Sequence, residues 1–168
     1  MKIKTYNLFL LIIIILLVAM PFYASPFHLY LATEIMIYSI LAIAYAVLLG
    51  HLKLLSLYHG IFYGFGGYGV AWMVMWYGGG FWEAFLFGVA IATAVGLVIA
   101  LISLRVRGAY YIIFSLVLGM IFYLWAMSAA EVTGGSDGFT FPSPSINLGF
   151  TVIPLTSTAK FYLSLIFL

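Results

Sequence analysis

A chain of 168 residues that is 67% hydrophobic and only 6% charged cannot hide its apolar surface in a soluble core, so lipid must be its solvent. A formal net charge of +2, with no basic cluster beyond Lys2, Lys4 and the Arg105/Arg107 pair, gives no footing for a nucleic-acid partner. The absence of cysteine excludes disulfides, thiolate metal sites and cysteine nucleophiles.

Apolar runs such as Leu8 to Val18 and Ile35 to Leu49 are nearly continuous, which predicts helices and argues against a membrane barrel with its alternating pattern. The first predicted span runs from about Leu8 to Phe22 and is punctuated by Pro21 and Pro26. Lys2 and Lys4 ahead of it would also suit a cleaved signal peptide, but the further spans that follow favour an uncleaved first helix. The second runs from Leu29 to Leu49, and the link Gly50 to Leu55 carries His51 and Lys53. A glycine-rich third span, Leu57 to Tyr77, is broken by Gly78, Gly79 and Gly80. The fourth runs from Phe81 to Leu104 and the fifth from Tyr110 to Ala130. A long polar segment from Glu131 to Ala159 holds Pro142, Pro144 and Pro154. Phe161 to Leu168 is apolar, yet at 1.5 Å per residue it covers only about 12 Å of a core roughly 30 Å thick. It reads as the start of a helix whose remainder is absent. The expectation is an all-α polytopic transmembrane helical bundle. It is a single domain over 1–168, incomplete at the C-terminus, with about five complete spans and a truncated sixth.

The charges orient this bundle. With the N-terminus cytoplasmic, Lys2, Lys4, Lys53, Arg105 and Arg107 all fall inside, whereas Glu83, Glu131 and Asp137 fall outside. Lys160 breaks the pattern, at a helix mouth from which its stem can snorkel to the headgroups. The segment over about 131–159 is then an extracytoplasmic loop.

Small residues recur four apart at Gly60 and Gly64, and at Gly88, Ala92, Gly96 and Ala100. Such faces let helices pack closely in lipid; lining a substrate path is the second reading. Gly64 to Gly69 matches G-x-G-x-x-G, but inside a membrane span it lacks the strand and the soluble βαβ unit that make a dinucleotide site. It reads as close packing or a locally unwound helix. Gly134 to Gly138 matches G-x-S-x-G, yet His28, His51 and His59 all precede Ser136 and no acid follows Asp137, so a hydrolase triad cannot be completed in the expected order. Glu34 lies in the outer part of the second span, either as a functional intramembrane carboxylate or as an interfacial one. His59 is read first as an interfacial or packing histidine.

Three ordered stretches carry a family resemblance. Leu55-Ser56-Leu57-Tyr58-His59-Gly60-Ile61-Phe62-Tyr63-Gly64-Phe65-Gly66-Gly67-Tyr68 resembles the glycine-rich segment of permeases of branched-chain amino-acid ABC importers. Leu104-Arg105-Val106-Arg107-Gly108-Ala109-Tyr110-Tyr111 resembles the entry to that family's next helix. Glu131-Val132-Thr133-Gly134-Gly135-Ser136-Asp137-Gly138 resembles the loop typical of the LivM-type member of the permease pair. Tyr58 departs from the glycine common there, and Met120 from an acidic or amide side chain.

The resemblance implies a multi-pass subunit of a prokaryotic inner membrane that pairs with a paralogous permease subunit in a heterodimer. It implies two cytoplasmic ATPase subunits, which bind the ATP, and an extracytoplasmic substrate-binding protein. No cofactor is expected in this chain, which has no G-x-x-x-x-G-K-[ST] phosphate loop. The cytoplasmic loop that docks on the ATPase is expected beyond this half of the permease. Candidate residues for the substrate pathway or receptor contact are Glu34, Ser56, His59, Gly64 and Gly67 in the spans. In the loop they are Thr133, Gly134, Gly135, Ser136, Asp137 and Gly138, whose backbone N–H groups could form an anion-accepting nest or simply a turn pinned by Asp137. A secondary transporter and a non-transporting membrane assembly protein are the competing classes.

Overall fold

A computed structural model of the protein describes residues 15–53, 55–106, 108–141, 144–147 and 152–168. The readings placed on Lys2, Lys4, the 8–14 part of the first span, Arg107 and Pro142 lie outside the described residues. Helix α1 is described over 15–23. It is followed by α2 (Pro26–Leu52), α3 (His59–Tyr77), α4 (Phe81–Ser103), α5 (Ala109–Ser128) and a short α6 (Ala130–Thr133). A two-residue strand β1 (Ile146–Asn147) pairs antiparallel with β2 (Val152–Ile153), and α7 (Ser157–Phe167) completes the order.

Among the described residues, three helices are long and apolar enough to cross a membrane: Pro26–His51, Phe81–Ser103 and Tyr110–Ser128. Helix α3 has the length, at 19 residues, but its glycines, tyrosines and tryptophans dilute its hydropathy. It is nevertheless unbroken from His59 to Tyr77, so of the two readings of Gly64 to Gly69 the local unwinding does not occur and the close packing does. The physical reason is that a helix in an apolar setting has no other partner for the backbone groups it would release. Helix α2 starts three residues earlier than expected because Pro26 occupies its first position, where a missing N–H costs nothing. The segment after α5 is more ordered than the long loop expected. Glu131 lies inside α6, and α7 begins at Ser157, capped by Thr156 Oγ1, which accepts from the Ala159 N–H at 3.4 Å.

The chain divides into two compact units. The first comprises the chain up to Ile40 with Leu155–Leu168. In it Leu29, Met36 and the fully buried Phe161 join α2 to α7, and Leu17 and Met20 of α1 pack against them. The Tyr162 hydroxyl donates to the Val18 carbonyl at 3.1 Å, and Ser164 Oγ approaches Met36 Sδ at 3.3 Å.

The second unit is Leu41–Pro154 and contains α3, α4 and α5. The seam between α3 and α4 is set by glycine. A Cβ on Gly88 would lie 2.8 Å from the Gly66 carbonyl oxygen, and one on Gly69 would lie 2.9 Å from Gly88 Cα. Ala92 faces Gly66 and Gly96 faces Phe62, so the small-residue face expected on α4 does meet α3. On α3 one member of the expected pair makes a close helix contact and the other does not. Gly60 meets nothing within 4 Å, and Gly64 turns instead towards Phe122 of α5. Tyr58, Ile61, Ile99 and Tyr111 form the buried core where α3, α4 and α5 converge.

Candidate functional site

The second unit holds all the candidates except Glu34, and it spreads them along α3 rather than gathering them in one pocket. At one end of α3 lie Ser56 and His59. Ser56 is 3% exposed, and among the described residues His59 Nδ1 has no hydrogen-bond partner. The His59 ring stands edge-on to Tyr45 and Phe62, with centroids 5.7 and 5.6 Å away, which supports the packing role first read for it.

The polar work at this end is done by residues that the sequence reading did not select. The Tyr58 and Tyr111 hydroxyls bond each other at 2.8 Å, tying the entry of α3 to the first turn of α5. Ser115 Oγ accepts from the Leu57 N–H at 3.1 Å and donates to the Ile112 carbonyl at 2.8 Å. A backbone N–H ahead of a helix has no partner within the helix, so Ser115 satisfies one that α3 cannot. Ser115→Ala is expected to leave that N–H unpaired and cost about 1 kcal/mol, read as a lower unfolding temperature in detergent; an unchanged melt would show that the bond contributes nothing.

Gly64 and Gly67 occupy the middle of α3. Gly67 helps to line an apolar groove of about 270 Å³ against α4, with Phe62, Gly66, Val89 and Ala92 among its walls. The groove can take apolar groups and offers almost nothing to a charged one.

At the far end of α3, about 20 Å from His59 at 1.5 Å per residue, Trp72 Nε1 donates to the Val132 carbonyl at 2.7 Å. Thr133, fully buried, donates from Oγ1 towards the Ala126 and Ala129 carbonyls at 2.6 and 2.8 Å. The same oxygen accepts from the Gly135 N–H at 3.2 Å, and the Gly134 N–H is bonded to the Ala130 carbonyl at 2.9 Å. Two N–H groups of the expected nest are therefore already taken. The turn is pinned by Thr133 rather than by Asp137, whose Oδ1 accepts from the neighbouring Ser136 hydroxyl at 3.1 Å on the exposed side. Gly134, Gly135 and Gly138 all take positive φ, at 78°, 59° and 66°.

Glu34 belongs to the first unit. Its Oε1 accepts from the Tyr30 hydroxyl one turn earlier at 2.6 Å.

The comparisons with known proteins bear on this arrangement as a whole. Residues 27–168 match the family described as the permease component of the branched-chain amino acid transport system. The high-affinity branched-chain amino acid transport system permease protein LivM of Escherichia coli (strain K12) is 36% identical over 141 residues, covering 83% of this chain and 33% of that protein. LivM of Salmonella typhimurium is 35% identical over the same length and shares. The chain thus spans about a third of the length of the curated relatives it matches. No solved structure matches it.

Proposed function

Because this chain belongs to the family of branched-chain amino acid transport permeases, and is a helical membrane protein, we propose that it is the N-terminal part of a subunit of an ATP-driven importer. The substrates would be branched-chain or related amino acids delivered by a binding protein. The observation that carries this reading is the match over residues 27–168, which includes every candidate residue. In this proposal the permease is multi-pass in a prokaryotic inner membrane, with its N-terminus cytoplasmic and about five spans before α7. It pairs with a paralogous permease subunit, and two ATPase subunits bind and hydrolyse the ATP.

Ser56 and His59 then stand at the cytoplasmic end of a path along α3, past Gly64 and Gly67, and Glu34 is a further candidate along the pathway. The turn Thr133 to Gly138 stands at the extracytoplasmic end as the contact for the loaded receptor. The placing of α3 supports this, since it reaches from the buried Ser56 at one end to the turn held by Trp72 at the other. The test is uptake of labelled leucine into proteoliposomes holding the full-length permease pair, its ATPases and its binding protein. Uptake that requires ATP and is competed by isoleucine and valine is expected. ATP-driven uptake of another solute alone would overturn the substrate. Uptake without ATP dependence, or none for any solute, would overturn the importer itself.

A further inference from the structure

We infer that Trp72 is a positioning residue for the receptor-facing turn: its indole N–H holds the Val132 carbonyl so that α3 and the turn Thr133 to Gly138 move as one body. The inference rests on the reading of that turn as a receptor contact. Helix α6 has only four residues, so the Val132 carbonyl, next to its end, has no later helical N–H to accept from. Trp72 supplies the donor at 2.7 Å from 60 residues away in sequence. The indole is aimed by its neighbours. It stacks on Tyr68 at 6.1 Å and 18°, and on Trp76 at 5.8 Å and 2°, so turning the N–H away would break two ring contacts. Tyr68 in turn meets Phe139, just past the turn, edge-on at 6.3 Å.

The linkage then runs through consecutive bonds. Val132 is followed by Thr133, whose buried hydroxyl anchors the turn to α5 and accepts from Gly135. On the other side, α3 is locked to α4 through Gly66, Gly69 and Gly88. A receptor that engages the turn therefore acts on the α3–α4 pair, and the indole is the joint through which it does so. Trp72 touches neither substrate nor receptor in this account.

The deciding variant is Trp72→Phe, which keeps a ring in the stack and deletes only the donor. In the full-length transporter in proteoliposomes, the apparent KM for the loaded binding protein is expected to rise about tenfold while the maximal uptake rate falls less than about twofold; a tenfold change corresponds to about 1.4 kcal/mol. Amide exchange across the turn is expected to speed up in the same variant. Asp137→Ala, which removes an exposed carboxylate from the turn without touching Trp72, reports on the underlying reading. If Asp137→Ala raises KM and Trp72→Phe does not, the positioning role is wrong and the receptor contact stands. If neither moves KM although exchange accelerates, the turn is not a receptor contact and the indole is only a structural prop. An equal fall in rate at all receptor concentrations, with slow exchange retained, would also overturn the inference.

Discussion

Gly88→Val is expected to prevent α3 and α4 from packing, with a loss of at least about 3 kcal/mol and no monodisperse protein in detergent. A single Cβ at position 88 would already lie 2.8 Å from the Gly66 carbonyl oxygen and 2.8 Å from Val70 Cγ2. The first of these is backbone, so no rotamer change relieves it and the helices must move apart. In lipid, separated helices lose close van der Waals contact without regaining a hydrophobic term, because acyl chains are as apolar as the residues they would replace. The control is Gly96→Ala on the same face. Its Cβ would meet Phe62 at 3.7 Å, an ordinary contact, so that variant is expected to purify and melt like the parent. Size-exclusion profiles and melting curves of both proteins decide the matter. A monodisperse Gly88→Val protein with an unchanged melt would show that the seam does not hold the pair together.

These seam residues also show where sequence reading reaches and where it stops. Length and hydropathy locate α2, α4 and α5 to within a few residues, because a span must be apolar over its whole length whatever its neighbours are. Four-residue spacing likewise finds the packing face of α4, where small residues occur in one register. On α3 glycines fall at 60, 64, 66, 67 and 69, so several registers satisfy the same rule and spacing cannot choose among them. The choice of Gly66 and Gly69 depends on how α4 lies against α3, and that is a property of the folded unit.

The polar ties escaped for a related reason. Tyr58 with Tyr111, Leu57 with Ser115, and Trp72 with Val132 join residues 53 to 60 positions apart, and no local pattern announces such pairs. A signal was present for one of them: a tryptophan in an apolar helix carries an N–H that needs a partner when buried, and Trp72 is partly buried. The loop Thr133 to Gly138 is legible in the sequence as a candidate site through its family resemblance, but its anchor is not. Asp137 was the conspicuous polar residue, whereas the fold buries the less conspicuous Thr133 and makes three hydrogen bonds with its one hydroxyl.

Gly134→Ala is expected to reduce receptor-dependent uptake by an order of magnitude or more while leaving the melting of the helical body nearly unchanged. At φ 78° an L side chain costs roughly 1–2 kcal/mol by itself. A Cβ here would also run into the Gly138 carbonyl group, which is backbone across the mouth of the turn and cannot swing aside. Thr133 fixes the start of the turn through its bonds to Ala126 and Ala129, so the strain cannot pass back into α5 and must open the turn itself. Gly138→Ala separates the two causes. Position 138 has φ 66° but no heavy atom within 4 Å of a built Cβ, so this variant pays the conformational cost without the collision and is expected to lose much less uptake. Uptake titrated against binding protein, together with amide exchange across 134–138, distinguishes the outcomes. Equal losses in the two variants would mean that positive φ alone governs the turn, and full uptake in Gly134→Ala would mean that the shape of the turn does not matter to the receptor.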